Sequence, residues 1–253
     1  MRRPARAKVL RVQVLRLLPS WLVEKVPRDH MEPDEAFGRR RRVVTGVTAA
    51  GAALLGVSLS TRPGSVQFYA TSAGVAATWV VGGFASGPLH LGHMQTRDEQ
   101  LRRPVLTPVL TGVVAFGVFY GCAVVVRQIP VLDRAISSVL SYADEGDDRA
   151  VLLTTLANGA AEEVFFRGAL YAAIGQEHPV ALSTAAYALA TVTTRNPALV
   201  LAATVMGTLF AAQRRASGGI QASMLTHLTW STLMLRYLPP LFRDTTGDDR
   251  SRS

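Results

Sequence analysis

Apolar residues run along this chain in blocks of about 18–25 residues, and Arg, Pro, Asn and Gly collect in the short breaks between them. That rhythm predicts membrane-spanning helices near 43–60, 66–86, 105–126, 150–174, 179–194, 197–213 and 219–237. The blocks at 179–194 and 197–213 are short for a span, and Thr193-Thr-Arg195-Asn-Pro197 breaks the chain between them. Over 129–142 the pattern changes. Leu132, Ile136, Val139 and Leu140 share one helical face while Asp133, Arg134, Ser137 and Ser138 lie off it, so Pro130 opens an amphipathic helix resting at a membrane interface. The expected fold class is all-α, a polytopic transmembrane helix bundle of about seven spans with a basic amphipathic N-terminal segment.

Charge orients these elements. In Lys8 to Val26, Leu10, Val14, Leu17, Leu18, Trp21 and Leu22 alternate with Arg11 and Arg16, which suits a helix lying on anionic headgroups and kinked at Pro19. It is a poor signal peptide, because Arg11, Gln13 and Arg16 interrupt the apolar region and no small-residue cleavage site follows. Arg39-Arg-Arg-Arg42 abuts the first span, so the N-terminus is expected in the cytoplasm. The loops carrying Arg97, Arg102 and Arg103 and then Arg214 and Arg215 return there, while Asp144, Glu145, Asp147 and Asp148 fall outside. A short or re-entrant eighth segment around Tyr237 to Phe242 would change the side of the tail.

Composition narrows the class. The net charge of +9 is carried by Arg at the edges of apolar blocks, which points to membrane lipid as a partner and away from nucleic acid. Lys occurs only at positions 8 and 25, and the dominance of Arg and Ala resembles a high-GC bacterium, hence a bacterial cytoplasmic membrane. The lone Cys122 excludes an intrachain disulfide and a Cys metal cluster. No internal repeat is visible, which counts against a transporter built from inverted halves.

The candidate chemistry lies in Glu162-Glu163-Val-Phe-Phe-Arg167-Gly168, inside the apolar run Val151 to Ile174. Each ionisable side chain at membrane depth costs about 2.5–3.5 kcal/mol on insertion scales, so such residues mark function by default. Glu163 and Arg167 are four apart on one helix face, where they can pair. Glu162 is turned about 100° away without a sequence-local partner, which suits a general base. Counted from cytoplasmic helix ends, Glu162 and Thr191 lie roughly 18 Å deep and His227 roughly 12 Å. His90-Leu-Gly-His93 reads as a polar loop beside the membrane, and Phe165, Phe166 and Tyr187 read most simply as packing residues.

Glu-Glu-x-x-x-Arg followed by Gly resembles the first motif of the type II CAAX prenyl endopeptidase and bacteriocin-processing (ABI) family of polytopic intramembrane proteases. The second motif is an aromatic residue four before a His; here it reads Tyr187-Ala-Leu-Ala-Thr191, with Thr in place of His. The third is a His four before an Asn; here it reads His227-Leu-Thr-Trp-Ser231, with Ser in place of Asn. The resemblance covers roughly residues 104–240. It implies a protease-like core at 104–240, preceded by a leader at 1–42 and two accessory helices at 43–103, and followed by a polar tail at 241–253.

Carried over, the resemblance implies that Glu162 activates water, that Glu163 and Arg167 organise the site, and that His227 with Ser231 lines the oxyanion side. Thr191 replaces the second-motif His, and its hydroxyl can bond a water but cannot act as a base. Glu162, Glu163 and His227 are the candidate ligands for a divalent metal such as zinc, and a metal-free glutamate mechanism suits the residues better. No other cofactor is expected. Bacteria generally lack prenylated CAAX proteins, so the expected substrate is another membrane-associated peptide or protein. The alternatives are a catalytically silent relative that binds membrane peptides or scaffolds a membrane partner, and a small transporter using the Glu pair as a proton relay.

Overall fold

The computed structural model describes residues 32–95, 100–175 and 177–248. The amphipathic segment expected over Lys8 to Val26 and the charge at Arg97 lie outside the described residues. The protein is built from helices, with one two-residue hairpin in which β1 (Met94–Gln95) pairs antiparallel with β2 (Leu101–Arg102).

α1 (Asp34–Ser58) begins at Pro33, with Asp34 and Glu35 complementing the helix dipole in its first turn. It starts nine residues before the expected span, because Arg40 turns inward and finds partners there. The guanidinium bonds Glu32, Ser86 Oγ at 3.2 Å and the Pro88 carbonyl at 3.1 Å. α2 (Val66–Ser86) is capped by Ser65, whose hydroxyl accepts from Phe68 N at 3.1 Å. α1 and α2 pack tightly where Gly51 meets the Trp79 ring, and a Cβ at Gly51 would collide with that ring. Gly51→Val is therefore expected to destabilise the protein by about 1–3 kcal/mol through overpacking. Unfolding in detergent micelles checks this, and an unchanged midpoint would contradict it.

α3 (Leu106–Val126) shows an outward stripe of Leu106, Leu110, Val114, Val118 and Val125, all more than half exposed. Such a surface suits hydrocarbon rather than water. Together with α2 and α8 (Pro197–Ser217), it is long and apolar enough to cross a membrane. Between them, α4 (Pro130–Asp144) opens at Pro130 and buries Ala135 and Leu140. α5 (Asp148–Glu162) leads without a break into a π-helical stretch, Glu163–Leu170, and the short α6 (Tyr171–Ile174). α7 (Pro179–Val192) follows a left-handed His178. Asn196 then caps α8, its Oδ1 accepting from Ala198 N and Leu199 N while its Nδ2 donates to the Ala135 carbonyl. One side chain thus starts a helix and ties the turn to α4.

α9 (Gln221–Asp248) continues through Pro239 and Pro240. The sequence reading allows a separate segment at Tyr237 to Phe242, but Leu238 and Phe242 pack with Ala123 and Leu140 and hold those residues on the same helix axis. The main core joins Val44 of α1, Val75 and Trp79 of α2, Phe165, Phe166 and Leu170 of the π stretch, and Ala190 of α7.

The chain between α2 and β1 crosses to the turn between α8 and α9. His93 N donates to the Ser217 carbonyl at 2.8 Å, and Ile220 N and Gln221 N donate to the carbonyls of His90 and Leu91, both at 2.9 Å. Gly92 has φ +86° and lies against Gly219, a close backbone approach that leaves no room for a Cβ on either residue.

Candidate active site

The site is built where α5 gives way to the π stretch. All eight residues from Glu163 to Leu170 are buried, because the wider turn is surrounded by α2, α7, α8 and α9. π turns inside α-helices occur frequently at functional sites. Trp79 stacks on Phe165 at 4.7 Å between ring centroids, and Phe166 packs on Tyr187 at 4.7 Å, so the π stretch is held between α2 and α7.

Glu163 and Arg167 are fully buried, and Arg167 Nη1 lies 3.2 Å from Glu163 Oε1. The same oxygen lies 3.1 Å from His227 Nδ1, across from α9. Arg167 Nη2 donates to the Gly207 carbonyl at 3.3 Å, and its guanidinium lies over the rings of Tyr187 at 4.5 Å and Phe210 at 5.0 Å. Two aromatic faces therefore attract the cation while the carboxylate balances it. The absence of a side chain at Gly207 is what lets α8 come this close, since a Cβ there would press on Tyr187 and approach Arg167 Nη2. Arg214 Nε donates to the Arg167 carbonyl at 2.7 Å, holding the end of the π turn to α8.

His227 is fixed on two sides and open on a third. Its ring stacks on Phe210 at 4.7 Å and 23°, its Nδ1 faces Glu163, and the backbone of Gly159 leaves space beside Nε2. One residue before it, Thr226 accepts from Gln213 Nε2 at 2.8 Å and donates to the Pro108 carbonyl at 2.9 Å, so α9 is anchored to α8 and α3.

Glu162 differs from its neighbour. It is partly accessible where Glu163 is sealed, and its Oε2 accepts from the Tyr187 hydroxyl at 2.5 Å. Tyr187 therefore touches the candidate base as well as packing, a role missed by reading its ring as apolar filler. The signal available was a phenol in an apolar helix, which needs a partner when buried. Phe210, Gly207 and Arg214 carry no sequence signal of comparable strength.

The remaining two candidates lie apart from the carboxylates in their bonding. Thr191 is buried and its hydroxyl donates to the Tyr187 carbonyl at 2.9 Å, closing onto its own helix. Ser231 is buried one turn beyond His227. Among the described residues no three His, Cys, Asp or Glu side chains converge on a metal position. Glu163 Oε1 is shared by Arg167 and His227, while its Oε2 is buried without a hydrogen-bond partner.

Helices with a lipid-suited surface, enclosing a charged cluster at the junction of α5, α7, α8 and α9, define an integral-membrane helical protein with a polar interior site. Residues 149–233 match the family model described as type II CAAX prenyl endopeptidase Rce1-like, so over that segment the chain is similar to this family. No curated protein and no solved structure matches the chain.

Proposed function

We propose that the protein is an intramembrane endopeptidase that cleaves a membrane-associated peptide or protein, with Glu162 as general base. The observation that carries this reading is the contrast within the Glu pair. Glu163 is sealed against Arg167 and His227, while Glu162 is partly accessible and holds one hydroxyl donor. The description of the matching family, a prenyl endopeptidase, supports the same reaction class.

In this reading a water bonds Glu162 and surrenders its proton to the carboxylate. The resulting hydroxide attacks the peptide carbonyl, and the carbonyl π electrons move onto oxygen. His227, oriented through Nδ1 by Glu163, lines that oxyanion with its Nε2 edge. As the tetrahedral centre collapses, the C–N bond breaks, and the proton on Glu162 passes to the leaving amine. One water is consumed and the carboxylate is regenerated. Arg167 pairs with Glu163 and keeps it in position for His227.

The reading includes about seven spans in a bacterial cytoplasmic membrane, a cytoplasmic N-terminus and lipid around the α3 stripe. Purified protein in liposomes should cleave members of a library of quenched fluorescent membrane peptides, with a rate unaffected by chelator. No cleavage across the library, combined with peptide capture, would instead favour a silent peptide-binding relative. The hydroxyl of Thr191, turned onto its own helix, is the observation favouring that second reading.

A further inference from the structure

We propose that Tyr187 is a positioning residue that takes over, for Glu162, the service the family obtains from its second-motif His. The inference rests on the proteolytic reading above, and it concerns a departure of this chain from its family.

Three observations converge. First, the residue at the His position does not reach the carboxylate by hydrogen bond, because Thr191 Oγ1 is engaged by the Tyr187 carbonyl at 2.9 Å. Second, one turn earlier on the same helix, the Tyr187 hydroxyl donates to Glu162 Oε2 at 2.5 Å. It is the one hydrogen bond Glu162 accepts through its side chain among the described residues, and it leaves Oε1 free to receive a water. Third, the ring contacts of Tyr187 need no hydroxyl. Phe at this position would pack equally well on Phe166 and under Arg167. The phenol oxygen is thus the part of this side chain that packing does not explain, and Glu162 explains it.

A Thr at the His position and a hydroxyl on the aromatic four residues earlier stand within a single helical turn. Where a His would help deprotonate water, a phenol holds the carboxylate in the orientation that lets it do so alone. The base then depends on a donor that stays protonated across the ordinary pH range.

The test compares wild type, Tyr187→Phe, Thr191→His and the double variant on the best peptide from the library. Turnover in Tyr187→Phe should fall about 10- to 100-fold, the worth of a hydrogen bond to a charged group, with KM unchanged and the acidic limb of the pH–rate profile displaced. The double variant should recover part of the turnover, because an imidazole is restored where the family has one. Independently of activity, the infrared band of the Glu162 carboxyl group, assigned by its absence in Glu162→Gln, should shift in Tyr187→Phe. Unchanged turnover, pH profile and band in Tyr187→Phe would overturn the inference while leaving the proteolytic reading intact. An inert wild type would overturn the proteolytic reading, and the band alone then decides whether Tyr187 holds Glu162.

Discussion

Glu162→Gln is expected to lower peptide cleavage by about 10²–10⁴-fold, the usual contribution of a positioned general base. The substitution preserves side-chain volume and keeps an oxygen that can accept from Tyr187 Oη, so the fold has little reason to change. What disappears is the ability to take a proton from water. Retained thermal stability together with lost turnover on the peptide library is the expected pairing. Cleavage at the wild-type rate would remove Glu162 from the mechanism and move attention to His227, another titratable group beside the pair.

Arg167→Met should act in the opposite sense, through stability first. Arg167 and Glu163 are sealed together, and removing one partner from such a pair leaves an uncompensated charge at a cost of about 3–5 kcal/mol. The remaining partner of Glu163 Oε1, His227, cannot supply the same permanent positive charge. Unfolding in mixed micelles should therefore move to markedly lower denaturant for Arg167→Met. Adding Glu163→Gln should restore part of the loss by removing the stranded carboxylate. A single variant as stable as wild type would mean that the pair contributes no net stability. Activity should be lost in the double variant, since Glu163 would no longer present a carboxylate to His227 Nδ1.

The helices were legible because their signals are periodic and local. Pro130 opens α4, Pro197 opens α8 behind Asn196, and the apolar blocks fall on the observed helices. The Glu163–Arg167 pair was legible for a similar reason, since four-residue spacing survives whether the turn is α or slightly wider. The π geometry was not, because it depends on which carbonyl each N–H selects, and a run such as Val164-Phe-Phe166 carries no mark of that choice. Arg40 was equally opaque: in a row of four Arg residues nothing distinguishes the one that turns toward Ser86 and Pro88. Tyr187 lies between these cases. Its ring satisfied the expectation of an aromatic, and that concealed the hydroxyl, whose partner sits 25 residues earlier in the chain.

The backbone pairing of His90, Leu91 and His93 with Ser217, Ile220 and Gln221 makes the family's recognisable stretch dependent on chain that lies well before it. Trp79 does the same from α2, closing over Phe165 and Phe166. The boundary of sequence kinship at 149–233 is therefore not a seam along which the molecule divides. A substitution at Trp79 or Gly92 bears on the charged cluster without touching it. The helices that carry the charges and the helices that frame them form one packed unit, not an interchangeable module and its accessory.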